Sequence, residues 1–180
     1  MKSTFTYGRL SKQRLQIRLY LLRLAGVKYL ILENIRSAYN VGAIFRTADG
    51  AGVSKIFLIG YTPTPTDRFG RIQSEIAKTS LGASTEIVWE HHQDSADVLT
   101  KLGHTGVQIV AVEQTKDATS LSQFSVPKKV AYILGNEVEG VSETTLQRAD
   151  TVIEIPMLGS KESLNVSVAA GIILYHESTT

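Results

Sequence analysis

Residues 155–175, IPMLGSKESLNVSVAAGIILY, contain the signals that decide the fold of this chain. The segment starts as the end of a buried strand, breaks at Pro156 and Gly159, and restarts as an apolar helix. Ser163 and Asn165 stand at the restart, where apolar periodicity does not require polar residues. Ser163 is predicted to cap the helix, because its hydroxyl can accept a hydrogen bond from a first-turn N–H. Polar groups at a strand-to-helix junction can equally hold a cofactor or a ribose, and this stretch alone leaves both interpretations open.

Strand-like and helix-like runs alternate along the rest of the 180 residues. The predicted strands, rich in Val, Ile, Leu and aromatic residues, are 28–32, 55–59, 85–89, 107–112, 130–134 and 151–155. The predicted helices between them are 41–50, 71–79, 95–102, 143–148 and 164–177. This alternation predicts an α/β fold with a mostly parallel sheet flanked by helices. The length and the 43% hydrophobic content fit one such domain.

Basic residues are concentrated at the N-terminus, although the net charge of the chain is only +2. Residues 1–28 carry seven of the 19 Lys and Arg residues and no acid, so 12 basic and 17 acidic residues remain in the body. Residues 1–26 are predicted to form a basic helical extension, followed by a domain over residues 27–180. A basic segment ahead of an acidic body indicates contact with a polyanion, with a solvated helix face as the alternative.

The composition argues against several classes of function. No run of about 18 apolar residues indicates a membrane span, and the N-terminus lacks the features of a signal peptide. Cysteine is absent, which excludes disulfides and fits a cytoplasmic protein. Adjacent His91 and His92 would point to opposite faces of a strand, so no metal site is expected. Phosphate-binding and dinucleotide-binding glycine motifs and the G-x-S-x-G nucleophile elbow are all missing.

Residues 33–49, ENIRSAYNVGAIFRTAD, form a second cluster of informative polar residues. The stretch follows a strand and enters a helix. This places Asn34, Arg36 and Asn40 at the carboxyl end of the strand, where parallel α/β sheets bind ligands. Arg46 is six residues beyond Asn40 and is predicted to lie close to the same helix face. An Arg in this apolar run is costly to bury unpaired, so the alternative is a side chain that reaches solvent.

Residues 134–142, LGNEVEGVS, form a third cluster. A strand is predicted to end at Gly135, after which Asn136, Glu137 and Gly140 form a turn. Glycines in such a turn let a ligand approach the backbone closely. Glu137 is therefore the candidate functional acid of this turn.

Together the three stretches resemble the ordered motifs of the SpoU/TrmH-type RNA 2′-O-ribose methyltransferases, in the SPOUT superfamily. The matching residues are Glu33-Asn34 with Asn40-x-Gly42-x-x-x-Arg46-Thr47-Ala48-Asp49, Gly135-Asn136-Glu137-x-x-Gly140, and Ile155-Pro156-Met157 with Ser163-Leu164-Asn165-Val166-Ser167. The resemblance covers about residues 27–177. It implies a SPOUT fold whose C-terminal part forms a deep trefoil knot, an exception to unknotted topology. It also implies S-adenosylmethionine as cofactor, tRNA or rRNA as substrate, and a homodimer with the active site near the subunit interface.

The resemblance also implies roles for individual residues. Arg46 matches the catalytic Arg, Asn40 the Asn that helps to position it, and Glu137 the acid of the second motif. Ser163 and Asn165 match a polar pair near the reacting ribose. The residues that match the cofactor pocket are Val112, Gln114, Gly135, Asn136, Ile155, Met157 and Leu164. The candidate RNA contacts are Arg14, Arg18, Arg23 and Arg36.

The implied chemistry moves a methyl group in line from a sulfonium to a ribose 2′-hydroxyl, while the protein aligns the reactants and manages one proton. Two roles for Arg46 stay open. In the family's usual account it is the general base, which requires burial to perturb a group that normally keeps its proton up to about pH 12. In the other, it stays cationic, grips a phosphate and stabilises the developing alkoxide, while solvent takes the proton.

Two further alternatives remain at the level of sequence. The protein could be a non-catalytic RNA-binding module that keeps the fold, although the motif residues of the methyltransferases are all present. The N-terminal helix could pack on a dimer partner through Leu15, Leu19 and Leu22 instead of binding RNA.

Overall fold

Seven strands within residues 26–176, the part of the chain that the computed structural model describes, form one parallel sheet. The strands are β1 (Val27–Glu33), β2 (Lys55–Ile59), β3 (Trp89–His92), β4 (Gln108–Val112), β5 (Thr119–Ser120), β6 (Lys129–Leu134) and β7 (Thr151–Glu154). Their order across the sheet is β3-β2-β1-β6-β4-β7-β5, and each neighbouring pair is parallel. The helices are α1 (Ala38–Gly50), α2 (Ser74–Ser80), α3 (Ala83–Glu86), α4 (Ala96–His104), α5 (Glu143–Leu146) and α6 (Val166–Tyr175). The α/β fold with a parallel sheet is therefore confirmed.

Alternating strand residues pack into two hydrophobic cores, one on each face of the sheet. In β1, Leu30 and Leu32 belong to one core and Ile31 to the other. Helices α1, α2 and α6 pack in the first core, and α4 packs in the second. Because both faces are covered, the strands read as nearly continuous apolar runs in the sequence. The carboxyl ends of the parallel strands are left together at one edge, where a site can form.

The strand predicted at residues 85–89 is wrong over most of its length. The chain there forms α3, which follows Gly82 in the left-handed region at φ 93°, and β3 begins only at Trp89. Ile87 and Trp89 are both buried, which mimics the alternation of a strand. Ile87 nevertheless reaches the core from the end of α3. The two-residue strand β5 was not predicted, because so short a segment carries no periodicity.

Some expectations lie outside the described residues. The predicted basic extension over residues 1–26, with Arg14, Arg18 and Arg23, falls there except for Gly26, as do residues 177–180. The trefoil knot stays a prediction of the resemblance. Within residues 26–176, no helix has both the length and the apolar character needed to cross a membrane.

Candidate active site

A cavity of about 320 Å³ opens at the carboxyl ends of β4, β6 and β7. All seven residues predicted to hold the cofactor line it, namely Val112, Gln114, Gly135, Asn136, Ile155, Met157 and Leu164. Glu137 and Ser163, both predicted as catalytic, line it as well. Parallel strands bring their carboxyl ends to one edge, which is why three separate stretches of sequence meet here. The roles of these residues stay predictions.

The buried side chain of Asn136 organises the turn that follows β6. Its Oδ1 accepts hydrogen bonds from the backbone N–H groups of Val138 at 2.7 Å and Glu139 at 2.9 Å. Its Nδ2 donates to the carbonyl oxygen of Asn34 at 2.9 Å and to the hydroxyl of Tyr61 at 2.7 Å. Two hydrogen bonds at Oδ1 and two at Nδ2 thus fix the amide group, and with it the turn that forms part of the cavity wall.

Gly135 and Gly140 let the same turn pack against the end of β4. A Cβ atom at Gly135 would overlap the backbone of Gly140 and Val141. Gly140 has a φ of 71°, and a Cβ atom there would overlap the carboxylate of Glu113. That carboxylate accepts the N–H of Val141 at 2.9 Å. The glycines were predicted to admit a ligand, and in the structure they admit a close approach of the chain to itself.

Three side chains predicted as catalytic form a hydrogen-bonded chain, the polar rim, that runs from the cavity wall. Asn40 Nδ2 donates to Glu137 Oε1 at 2.9 Å, and Asn165 Nδ2 donates to Asn40 Oδ1 at 3.1 Å. Asn40 lies in α1 and Asn165 precedes α6, so the polar rim also ties these two helices together. The structure therefore brings Asn40, Glu137 and Asn165 together.

The cap predicted at Ser163 is wrong, because α6 begins at Val166 and Asn165 is its N-cap. Asn165 Oδ1 accepts the backbone N–H of Ser167 at 2.9 Å, the bond that a capping side chain makes. Ser163 precedes the cap by two residues, and its exposed side chain lines the cavity. Asn165 thus combines the cap with the polar rim.

Glu137 receives several hydrogen bonds besides the one from Asn40. Its carboxylate accepts the backbone N–H groups of Arg36 at 2.9 Å and Ser37 at 3.3 Å. Partial burial raises the pKa of Glu137, but the hydrogen bonds from Arg36, Asn40 and Ser37 outweigh it, so the pKa lies below the ordinary carboxyl value. A carboxylate with a lowered pKa is a weak proton acceptor. Glu137 is therefore better suited to orienting Asn40 than to taking a proton.

Arg46 lies in a different place from the polar rim. Its exposed side chain borders a groove with Lys78, Thr79 and Tyr175, and it does not line the cavity. The prediction that Arg46 and Asn40 lie close to the same helix face is wrong, because six residues at 3.6 per turn separate two side chains by roughly 120°. The alternative, an Arg that reaches solvent, describes its position. The burial on which a general-base role depends is not seen.

Two carboxylates that received no role from the sequence hold the segment that follows the turn after β6, and one of them, Glu113, also lines the cavity. Glu33 is buried and accepts hydrogen bonds from the Ser142 N–H at 2.9 Å, the Ser142 hydroxyl at 3.0 Å and the Thr145 hydroxyl at 2.6 Å. Glu113 holds Val141, as described above. Each is the last residue of a strand or directly follows one, and that position was the signal that could have identified them.

Of the candidate RNA contacts, Arg36 lies within the described residues. The side chain of Arg36 is exposed beside the polar rim, and its RNA contact stays a prediction. Among residues 26–176, no group of three or more His, Asp or Glu side chains could hold a metal ion.

Comparison with known proteins places these features in a family. The family model described as SpoU rRNA Methylase matches residues 28–175. The 23S rRNA (guanosine-2′-O-)-methyltransferase RlmB of Neisseria meningitidis serogroup B is 31% identical over 145 residues, which are 81% of this chain and 55% of that protein. The protein of the same name from Xylella fastidiosa is 35% identical over 146 residues, 81% of this chain and 56% of that protein. The chain spans about half the length of these curated relatives.

Solved structures agree with the sequence comparison. The AdoMet-bound rRNA methyltransferase from Sinorhizobium meliloti has a TM-score of 0.76 at 29% identity, covering 84% of this chain and 56% of that one. The A. aeolicus TrmH/SpoU tRNA modifying enzyme has a TM-score of 0.73 at 30% identity, covering 91% of this chain and 82% of that one. Motifs, fold and relatives coincide, and the chain belongs to the SpoU rRNA methylase family.

Proposed function

We propose that this protein transfers a methyl group from S-adenosylmethionine to a ribose 2′-hydroxyl of a structured RNA, a tRNA or an rRNA, in the cytoplasm. The observation that carries the proposal is the cavity at the carboxyl ends of β4, β6 and β7, with the polar rim beginning at its wall. The relatives supply the reaction class, since the curated ones are named 2′-O-methyltransferases of rRNA and one solved relative is AdoMet-bound.

The lining of the cavity suits S-adenosylmethionine chemically. Ile155, Met157 and Leu164 offer apolar surface for an adenine ring, and backbone groups of the turn after β6 lie beside them. The lining residues include four carboxylates, Glu113, Glu137, Glu154 and Glu162, and neither Lys nor Arg. An acidic wall favours a ligand with a positive sulfonium. When bound, the cofactor supplies an activated methyl group.

The polar rim supplies alignment for the reaction. Glu137 holds Asn40, and Asn40 holds Asn165, so a ribose beside Ser163 and Asn165 meets amide groups whose orientation is already set. A preorganised donor contributes to catalysis because it needs no reorganisation during the reaction. Ser163 and Asn165 are accordingly proposed to face the ribose.

Arg46 is proposed to act as a cation. Its guanidinium is exposed in a groove that also contains Lys78, so it can grip an RNA phosphate. In the proposed dimer the same cation would stabilise the alkoxide that develops in the site of the partner subunit, while solvent takes the proton. This version needs no buried arginine.

A homodimer is part of the proposal, and exposed apolar side chains support it. Val168, Ile172 and Tyr175 are 50%, 39% and 61% exposed and follow one another at helical spacing along α6. Tyr39, 48% exposed, is next to Asn40, which bonds the N-cap of α6. Exposed apolar patches of this kind mark protein interfaces. Sedimentation should show a dimer that Ile172→Lys converts to monomer, and a monomeric wild-type protein would contradict this part.

The N-terminal basic segment is proposed to bind RNA phosphates through Arg14, Arg18 and Arg23. Deletion of residues 1–25 should weaken RNA binding and flatten its salt dependence, while S-adenosylmethionine binding stays normal. Unchanged RNA affinity would favour packing of the segment on protein instead.

Two measurements test the central proposal. Isothermal titration should show S-adenosylmethionine binding by the full chain, and 2′-O-methyl mapping of total RNA from cells with and without the protein should reveal at least one site that depends on it. Absence of cofactor binding would overturn the proposal. Cofactor and RNA binding without a dependent site would favour the non-catalytic RNA-binding alternative.

A further inference from the structure

The segment between β2 and α2, residues 60–73, is an ordered surface loop with its own internal bonds. The side chain of Asp67 accepts the backbone N–H groups of Phe69 at 2.8 Å and Arg71 at 2.9 Å. Thr66 and Ile72 form an antiparallel bridge across it. The buried Thr62 hydroxyl anchors its start, donating to the carbonyl oxygen of β1 residue Leu32 at 2.9 Å. The loop therefore presents its outer side chains from a fixed base.

Those outer side chains are aromatic and cationic. Phe69 is 69% exposed, which leaves a large apolar ring in contact with water. The guanidinium carbons of Arg68 and Arg71 lie 4.8 Å and 5.3 Å from the centre of its ring. Arg71 is held there by a 2.6 Å ion pair between its Nε and Asp67. We call Tyr61, Arg68, Phe69 and Arg71 the aromatic–arginine surface.

This surface is joined to the candidate active site. Tyr61, 59% exposed, lies at its near end, and the Tyr61 hydroxyl accepts the bond from Asn136 Nδ2 at 2.7 Å. Asn136 lines the cofactor cavity. An RNA strand that crosses the aromatic–arginine surface and reaches Tyr61 is thus brought to the wall of the cavity.

The geometry points to a binding site for unpaired RNA bases on the aromatic–arginine surface, next to the methylated nucleotide. The inference rests on the proposed function and adds to it the form of RNA that is recognised. Nucleobases stack on aromatic rings and on guanidinium planes, and single-stranded segments expose the base faces that this requires. The guanidinium of Arg68 can also attract a phosphate beside a stacked base, whereas the charge of Arg71 is offset by Asp67. Residues 29–180 carry more acidic than basic residues, so a surface with exposed arginines differs in charge from the rest of this part of the chain.

The test uses the full chain and two fluorescent probes of equal length, a single-stranded poly(A) oligoribonucleotide and an abasic strand that keeps the phosphates. Phe69→Ala should weaken poly(A) binding about tenfold and leave abasic binding unchanged, because only stacking is removed. Phe69→Trp should retain wild-type affinity. Arg68→Ala should weaken both probes, whereas Arg148→Ala, which removes an exposed cation after α5, should affect neither.

Titration with S-adenosylmethionine accompanies every variant. Cofactor binding should be unchanged in all of them, which shows that the cavity is intact. Equal affinity of wild type and Phe69→Ala for poly(A), or equal losses for the two probes, would overturn the inference. Failure of the wild-type protein to bind S-adenosylmethionine would instead count against the proposed function, and leaves the two-probe comparison as an independent result.

Discussion

The cavity at the carboxyl ends of β4, β6 and β7 and the groove beside Arg46 (the Arg46 groove) differ in how far their side chains are held by other groups of the described chain. In the cavity wall and the polar rim, the side chains of Asn136, Glu137 and Asn165 already have partners. The Arg46 groove is instead open and lined by exposed side chains such as Lys78 and Tyr175. The cavity wall and the polar rim are therefore formed by groups of one chain, whereas the Arg46 groove exposes cations and the Tyr175 side chain that a partner could contact. On the proposed function, we expect S-adenosylmethionine binding to need the chain alone and methyl transfer to need RNA and a second copy as well.

The largest expected effect separates the two regions at Arg46. Arg46→Ala should lower methyl transfer to RNA by about 10²- to 10³-fold, as loss of one electrostatic stabiliser does, with S-adenosylmethionine affinity unchanged. Single-turnover kinetics and calorimetry measure the two quantities. The matched control is Arg148→Ala, whose side chain bonds Thr100 at the surface. A loss of cofactor affinity in Arg46→Ala would show that Arg46 contributes to the cofactor site, which would contradict the separation of the cavity from the Arg46 groove.

A pH–rate profile sharpens the role of Arg46. If the guanidinium acts as a cation, the rate should follow no titrating group of the enzyme from neutral to alkaline pH. A rate that rises with the titration of a group lost in Arg46→Ala would restore the general-base account.

Gly135→Ala tests the turn after β6 in the wall of the cavity. The added Cβ overlaps backbone atoms of Gly140 and Val141, so the turn must shift, at a cost of about 1–3 kcal/mol. Calorimetry should show S-adenosylmethionine affinity reduced about tenfold or more, and denaturant unfolding should show lower stability. The control is Gly103→Ala in α4, where a Cβ meets no atom and helix propensity adds about 1 kcal/mol of stability. Normal cofactor binding by Gly135→Ala would show that the turn is not part of the cofactor site.

Asn165→Ala should have a smaller effect on stability and a selective effect on activity. Loss of the α6 cap costs about 1 kcal/mol, and the substitution removes the amide proposed to face the ribose, while Asn40 stays bonded to Glu137. Ser37→Ala is the control, because it removes the α1 cap and keeps the bond between Asn40 and Asn165. Equal losses of methyl transfer in the two variants would reduce the polar rim to a structural role.

The smallest expected effect is the acid sensitivity conferred by Glu137. Its pKa is lower in the folded chain than the ordinary 4.5, so its hydrogen bonds stabilise the fold above that value. The contribution is lost as the pH falls from 4.5 through the lowered folded pKa. Glu137→Gln should therefore flatten this part of the curve of unfolding free energy against pH. Identical slopes for variant and wild type would contradict the lowered pKa.

The parts of the fold and site that follow from sequence are those set by strand periodicity and strand ends. Val112, Gly135 and Ile155 each stand at or just beyond a predicted strand end, so a parallel sheet brings them to one edge whatever the details of the loops. The motif resemblance then supplied the chemistry, which periodicity cannot.

The parts that could not be predicted depend on side-chain direction and on distant partners. Ser163 and Asn165 are both capping residues by type, and only the true start of α6 selects Asn165. The bond between Asn40 and Asn165 joins residues 125 positions apart, which no local pattern reports. Arg46 was misplaced because a helix face was judged from spacing without counting the rotation.

The four bonds of the Asn136 amide have a consequence for experiments on ligand occupancy. They join the turn after β6 to the backbone of Asn34 and to Tyr61. The backbone N–H groups of Val138 and Glu139 donate to the Asn136 side chain, so their exchange with solvent should be slowed while these bonds are intact. On the proposed function, their exchange rates should fall further when S-adenosylmethionine fills the cavity or RNA covers Tyr61. Hydrogen exchange at these two amides would therefore report the binding of either ligand.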